Sequence, residues 1–212
     1  MGTALHVTSA KMIHMLPKGR LSPVKTYGLL LLLLLSASPP AVAVDRPLPE
    51  ILICYNYSCN RTAHVRPDAG EWQQIIGQFK PAARSPGEER QMIRRAIAML
   101  EQIAGEQTPT FRDRGRNPIV DEWPGQMDCI DESTNTVRYL QLLQQRGLLH
   151  WHRVVERAYR APYILDQHWA GQIVELQTNN HYAVDSWHLD NGNPPYIQAI
   201  SDWHRKAPFP NE

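Results

Sequence analysis

The sequence is poor in cysteine. It has three, Cys54, Cys59 and Cys129, and the count is odd. A structural zinc site built on cysteine needs further ligands, and no second cysteine pair is present to supply them. Because only four residues separate Cys54 from Cys59, the two can close a small loop, and we favour a disulfide between them over a metal pair. Cys129 is then left as a single thiol.

The chain also lacks a block of basic residues beyond its N-terminal segment. The net charge is +1, and the first 43 residues carry much of the positive side. Domains that bind nucleic acids cluster lysine and arginine on one face, so we expect no nucleic-acid partner. The six tryptophans all lie in the remaining part and argue against a disordered chain.

No apolar run is long enough for a membrane span, which takes roughly 20 residues. The leucine-rich run Gly28–Leu35 follows several basic residues, is ended by Pro39-Pro40, and precedes the small residues Ala41-Val42-Ala43. This layout is typical of a cleavable secretory signal, which we predict for residues 1–43. We therefore expect a periplasmic or secreted protein without a stable membrane span after cleavage, and a single domain at residues 44–212.

The first half of this domain carries helix signals. Ser85 and Glu88 have the spacing of a capping box and predict the start of a helix that ends at Gly105. A second helix is predicted from about Asp128 to Arg146, with Gly147 at its C-terminal end.

The second half has the pattern of an antiparallel sheet. A polar turn separates two apolar segments, which is typical of a hairpin. The strands predicted here are Leu148–Arg157, Trp169–Leu176, His181–Trp187 and Tyr196–Ile200, and a further short strand, Ile51–Cys54, is predicted ahead of the helices. Helices followed by strands predict an α+β fold, with N-terminal helices packed on a C-terminal antiparallel sheet.

Cys129 is a candidate nucleophile. Asp128 can cap the second helix, which places the thiol in the first turn. Unpaired amides and the positive end of the helix dipole favour the thiolate there. A thiolate that attacks a carbonyl needs a base beside it, which also protonates the leaving group.

His168 is the candidate base and Asp185 the candidate group that orients it. The two residues lie on the two strands of the predicted hairpin. If the connecting loop has an even number of residues, both side chains lie on one face of the sheet. A turn centred near Gln177-Thr178 then places them diagonally across the ladder, within hydrogen-bond reach.

The order of these pieces resembles the transglutaminase-like superfamily of papain-type cysteine enzymes. The matching residues are Cys129, Gly147-Leu148-Leu149, His168-Trp169 and Val184-Asp185-Ser186-Trp187, within about half of the exported part. The resemblance implies a Cys-His-Asp triad that attacks amide carbonyls, as in peptidases, amidases or acyl-transferring cross-linkers. It also implies Gln126 as a donor to the oxyanion, beside the Cys129 amide. The expected partner is a peptide or protein substrate, including a cell-wall peptide.

Two other functions stay open at this point. A non-catalytic binding or assembly domain is favoured by the acidic neighbours of the cysteine, Asp128, Asp131 and Glu132, which work against a thiolate. A metal-dependent enzyme is suggested by histidines that two strand positions place on one face, His150 and His152, with others downstream at His181, His188 and His204. No helical metal motif is present, so we expect neither a metal nor a cofactor.

Overall fold

A computed structural model describes residues 47–117, 124–161 and 166–210. The predicted signal at residues 1–43 lies outside them. The described residues all belong to one compact unit, Asp45–Glu212. Within this part of the chain, no helix combines the length and the apolarity needed to cross a membrane.

The described residues form four helices and seven strands, with one 3-10 turn at Pro109–Arg112. In chain order these are β1 (Ile51–Tyr55), β2 (Arg61–Val65), α1 (Ala69–Gly77), α2 (Pro86–Gln107), α3 (Cys129–Gln145), β3 (His152–Val154), β4 (Ala158–Arg160), β5 (His168–Glu175), β6 (His181–Asp185), β7 (Tyr196–Ala199) and α4 (Ile200–His204). Helices combined with antiparallel strands confirm the mixed class. The small β1–β2 sheet ahead of the helices was not predicted as a pair.

The start of α2 differs in detail from the predicted capping box. The Ser85 hydroxyl accepts from the Glu88 amide at 3.2 Å, but the Glu88 carboxylate accepts from the amide of Arg84, one residue too early. The helix also continues two residues past Gly105. A Cβ on Gly105 would lie 3.2 Å from Phe111 Cα, so this glycine makes room for the following turn and does not end the helix.

The larger sheet has the order β3-β5-β6-β7, with β4 also paired to β5. All of its neighbouring strands are antiparallel. In the β5–β6 hairpin Gly171 lies opposite Val184, and Val174 lies opposite His181. One step further in this register, Asp185 lies opposite Ala170, two residues from His168. The two side chains therefore share a face of the sheet.

Helix α3 packs against β5 and brings the candidate residues together. The core between the helices and the sheet includes Leu140 and Leu143 from α3 and Ile173 from β5, all fully buried. Gly171 makes this close approach possible, because a Cβ there would lie 2.6 Å from Thr136 Cγ2. The first turn of α3 consequently meets the start of β5.

Candidate active site

A short disulfide loop supports the N-terminus of α3. Cys54 and Cys59 form a disulfide, which agrees with the sequence prediction. The Ser58 amide donates to Asp128 Oδ2 at 2.9 Å, and the Cys59 amide donates to Asp131 Oδ1 at 2.5 Å. The loop thus ties two acidic residues of the helix start to the β1–β2 hairpin.

Cys129 is the first residue of α3 and is half-buried. Asp128 is the N-cap: its Oδ1 accepts from the amides of Ile130 and Asp131 at 3.0 and 2.9 Å. The amide of Cys129 occupies the first helical position, where helix geometry supplies no acceptor. It is therefore able to donate to a ligand beside the sulfur.

His168 and Asp185 form a buried hydrogen-bonded pair. The distance from His168 Nε2 to Asp185 Oδ2 is 2.8 Å. The indole Nε1 of Trp203, on α4, donates to the same oxygen at 2.8 Å. Trp203 was not predicted as a site residue, because a tryptophan in a short apolar helix has the pattern of a core residue.

The His168 side chain also interacts with the Cys129 thiol, and both residues line one pocket. Since Nε2 is taken by Asp185, Nδ1 is the ring nitrogen available to the sulfur. Burial lowers the pKa of His168, but interactions with Asp185 and Cys129 outweigh it and raise the pKa to about 9. Burial likewise raises the pKa of Asp185, but the bond to His168 brings it well below its ordinary value. At neutral pH the pair is therefore an imidazolium beside a carboxylate.

Aromatic rings surround the imidazole and fix its position. The His168 ring centroid lies 5.0 Å from that of Trp187, 5.7 Å from Trp203 and 5.4 Å from His188. His188 Nε2 is also 3.5 Å from Asp185 Oδ2. Such packing restricts the ring to few orientations and so preserves its distance to the sulfur.

A pocket of about 160 Å³ opens beside the sulfur and the imidazole. Its walls come from α3, β4, the start of β5 and the segments that flank them. The lining residues are Asn117, Asp128, Cys129, Arg160, Asp166, Gln167, His168 and Trp187. The thiol and the imidazole therefore line one small pocket.

Gln126 is engaged elsewhere. Its side chain is buried, and its Nε2 donates to the Arg112 carbonyl at 2.6 Å. Its Oε1 accepts from the side chain of Asn117. Because the amide nitrogen already has an acceptor in the loop before α3, this geometry does not support Gln126 as an oxyanion donor.

The acidic residues that follow Cys129 point into the protein. Asp131 and Glu132 are buried, and Glu132 hydrogen-bonds the side chain of Asp113. Burial raises the pKa of Glu132 well above its ordinary value and that of Asp113 to about 7. These carboxyl groups form a cluster with Glu101, whose pKa burial raises to about 8. The sequence analysis missed this cluster, since its members are distant in the chain.

The histidines proposed as metal ligands are largely separate. His152 is buried, with Nδ1 2.9 Å from Glu89 Oε1 and Nε2 3.2 Å from Arg90 Nη1, which is a structural arrangement. Among the described residues, two groups of three side chains have metal-ligating geometry, and His152 belongs to neither. They are Cys54, Cys59 and Asp131, whose thiols form the disulfide, and His168, Asp185 and His188.

Comparisons of the chain with protein-family models, with curated proteins and with solved structures found no match. The chemistry available at the site therefore follows from its own groups. These are a thiol at a helix start, an imidazole between that thiol and a buried carboxylate, and a pocket against both.

Proposed function

We propose that this chain is an exported cysteine-dependent acyl-transfer enzyme of the transglutaminase-like, papain-type class, acting on peptide amide bonds. One observation carries the proposal: the His168 ring lies between the Cys129 thiol and the Asp185 carboxylate, which is 2.8 Å away. The predicted signal and the Cys54–Cys59 disulfide support export.

In the first half of the reaction Cys129 is the nucleophile. The attacking species is the Cys129 thiolate, formed when the thiol releases its proton, and it lies beside the His168 imidazolium. The thiolate attacks the amide carbonyl carbon, and the tetrahedral intermediate collapses as the C–N bond breaks. His168 gives its proton to the departing amine, which leaves a thioester on Cys129.

In the second half His168, now neutral, takes a proton from water. The hydroxide attacks the thioester carbonyl, and the C–S bond breaks to release a carboxylic acid and the thiolate. Asp185 keeps the ring oriented and stabilises its cationic form in both halves. An amine in place of water would form a new amide, which is the cross-linking variant of the same chemistry.

The oxyanion of each tetrahedral intermediate needs hydrogen-bond donors. The Cys129 amide is the donor with the required position, because it lies at the first position of α3 beside the sulfur. We assign the role to this amide and not to Gln126, whose nitrogen donates to Arg112.

Alkylation of Cys129 tests the proposal directly. The other two cysteines are joined, so iodoacetamide reports on a single thiol in the folded, oxidised protein. We expect modification at about pH 6 to be at least about tenfold faster than that of glutathione, because a nearby imidazolium favours the thiolate. An acetyl adduct on Cys129 and a burst of nitrophenol with p-nitrophenyl acetate would demonstrate acyl transfer.

The controls separate reactivity from exposure. Cys129→Ser is expected to abolish both the burst and the adduct, and His168→Gln is expected to lower the alkylation rate at least about tenfold. A thiol that reacts only after denaturation would contradict the proposal and favour a non-catalytic binding or assembly domain.

A metal at His168, Asp185 and His188 is the remaining alternative, since their ligand atoms lie within 4.8 Å of one another. A metal there would occupy the nitrogen or the oxygen that joins His168 to Asp185. We expect the acetyl burst to be unchanged after treatment with a chelator. A burst that disappears with the chelator and returns with zinc would support the metal-dependent function instead.

A further inference from the structure

A second and larger pocket adjoins the one beside Cys129. It has a volume of about 610 Å³. The two share three lining residues, Arg160, Asp166 and Trp187. The second pocket is therefore a neighbour of the sulfur, and we call it the arginine pocket.

The arginine pocket carries more positive than negative charge. Its cationic side chains are Arg116, Arg160 and Lys206, and its carboxylate is Asp166. Lys206 and Asp166 form an ion pair with each other. Within residues 47–117, 124–161 and 166–210, neither Arg116 nor Arg160 forms an ion pair with a carboxylate of the pocket wall, although the charge of Asp185 acts on Arg160.

Arg160 is held in place but keeps an unused donor. Its Nη1 donates to the Trp203 carbonyl at 2.5 Å, and its guanidinium lies 4.4 Å from the centroid of the Trp203 ring. Its Nε is buried and has no hydrogen-bond acceptor among the described residues. A buried donor without an acceptor is costly, and the rest of this guanidinium lines both pockets.

The other guanidinium is positioned from the opposite side. Arg116 donates its Nε to His188 Nδ1 at 3.0 Å. Next to it, Tyr196 and Phe209 stack with centroids 4.2 Å apart and form an apolar wall. The pocket thus pairs planar cations, which suit a carboxylate, with a surface for hydrocarbon.

We propose that the arginine pocket binds a carboxylate of the peptide substrate, close to the amide that Cys129 attacks. This inference rests on the proposed function and names its substrate class, acyl substrates with an anionic group near the scissile bond. The carboxylate has two chemical sources, an acidic side chain or a free C-terminus.

The first test compares iodoacetate with iodoacetamide, two reagents that differ by one negative charge. The readout is the ratio of their rate constants at Cys129. If Arg160 and Arg116 attract a carboxylate beside the sulfur, Arg160→Gln and Arg116→Gln are expected to lower the ratio about threefold to tenfold. Arg160→Gln is expected to have the larger effect, because Arg160 lines both pockets.

Arg205→Gln is the matched control. Arg205 is exposed, pairs with Asp202 and precedes Lys206, but it does not line the pocket. Its removal changes the net charge by the same amount, so the ratio is expected to stay within about twofold. A ratio that falls equally in all three variants, or in none, would overturn the proposal.

The second test identifies the source and needs only the unaltered protein. Three blocked dipeptides are added before iodoacetamide: acetyl-Ala-Glu-amide, acetyl-Ala-Gln with a free C-terminus, and the neutral acetyl-Ala-Gln-amide. Protection of Cys129 by the first indicates an acidic side chain, and protection by the second indicates a C-terminal carboxylate. We expect at least about threefold stronger protection by one of them than by the neutral dipeptide.

The two proposals fail differently. Equal protection by all three dipeptides, with fast alkylation by iodoacetamide, would overturn the carboxylate pocket and leave the acyl-transfer function standing. Slow alkylation in the folded protein would remove the function itself. The dipeptide test uses the unaltered protein. It can therefore refute the carboxylate pocket even if Arg160→Gln does not fold.

Discussion

Buried carboxyl groups in two regions of this protein have opposite charge states: one carboxyl group is ionised, and a cluster of three is protonated. Asp185 sits beside the candidate base His168, and its pKa is held well below its ordinary value. Glu101, Asp113 and Glu132 lie together near α3, and burial raises the pKa of each. All four are nearly inaccessible to water.

The difference lies in what each carboxyl group faces. Asp185 Oδ2 accepts hydrogen bonds from an imidazole and an indole, each at 2.8 Å. Glu101 accepts from the Ser186 hydroxyl at 2.9 Å and the Gly192 amide at 3.0 Å, and its charged neighbours are other carboxyl groups. Neutral donors do not compensate a buried charge, so the cluster keeps its protons.

The comparison shows that burial alone does not decide whether an acid is ionised. Interactions with His168 and His188 keep Asp185 charged, whereas carboxyl groups that share one site suppress each other's ionisation. In the proposed function the charged pair serves the chemistry, whereas the protonated cluster packs under the first turns of α3.

Asp185→Asn breaks the charged side of the comparison and has the largest expected effect. Without the carboxylate the pKa of His168 falls, because its strongest favourable contact is removed. We expect the rate of thioester formation on Cys129 from p-nitrophenyl acetate to fall by about a thousandfold. The measurement is the single-turnover burst at neutral pH.

Asp202→Asn is the control for this substitution. Asp202 is on α4, next to Trp203, and pairs with the exposed Arg205. The acetylation burst of the Asp202→Asn variant is expected to match that of the unaltered protein within about twofold. If Asp185→Asn kept the full burst, the carboxylate would have no part in orienting the imidazole.

Glu101→Gln removes one member of the protonated carboxyl cluster. Burial raises the pKa of Glu101 from its ordinary value of 4.5 to about 8. Between these two pH values the unfolded chain has released the proton that the folded protein still binds. Rising pH therefore favours unfolding in this window. We expect urea unfolding of the unaltered protein to lose on the order of 3 kcal/mol between about pH 5 and pH 8, and Glu101→Gln to remove much of this loss.

His168 contributes to the same curve at higher pH. Its folded pKa of about 9 exceeds the ordinary 6.5, so its stabilising effect is complete below about pH 6.5 and is lost as pH rises to 9. His168→Gln is therefore the matched control, since it flattens the curve above pH 6.5 and leaves the part below unchanged. An unaltered slope between pH 5 and 6.5 in Glu101→Gln would contradict the neutral cluster.

The hairpin that carries His168 and Asp185 was predictable from the sequence, because strand parity and an even loop determine which side chains share a face. The N-cap role of Asp128 was predictable for a similar reason, since capping is local. Both depend on neighbours in the chain or across one turn.

The acid cluster and Trp203 were not predictable in this way. Glu101 meets Ser186 across 85 positions, and Trp203 reaches Asp185 only because α4 folds back on β6. The contacts of Gln126 were not predictable for the same reason. Its proximity to Cys129 in the chain gave no indication that Arg112 accepts its amide hydrogen.

The disulfide loop affects the acidic residue next to the thiol, because it holds the Asp131 side chain inward. Asp131 accepts from Cys59, and burial raises its pKa to about 6. Replacing Cys54 and Cys59 by alanine frees this loop and is expected to cost about 2 kcal/mol in the free energy of unfolding. Reduction of the unaltered protein is expected to give the same loss, measured by urea unfolding; a smaller loss than about 0.5 kcal/mol would contradict a structural role.

The smallest expected effect is that of Asp128, a partly buried carboxyl group between the two regions. Asp128→Ala removes the cap of α3 and is expected to cost about 1 kcal/mol. Asp68→Ala removes the corresponding cap of α1, which has the same capping box, and is expected to cost as much. Only Asp128→Ala should slow alkylation of Cys129, by about threefold to fivefold, because the first turn of α3 sets the distance from the sulfur to His168. Asp128→Asn keeps the cap without its charge; if it slowed alkylation as much as alanine, the charge of Asp128 and not the helix start would control the thiol.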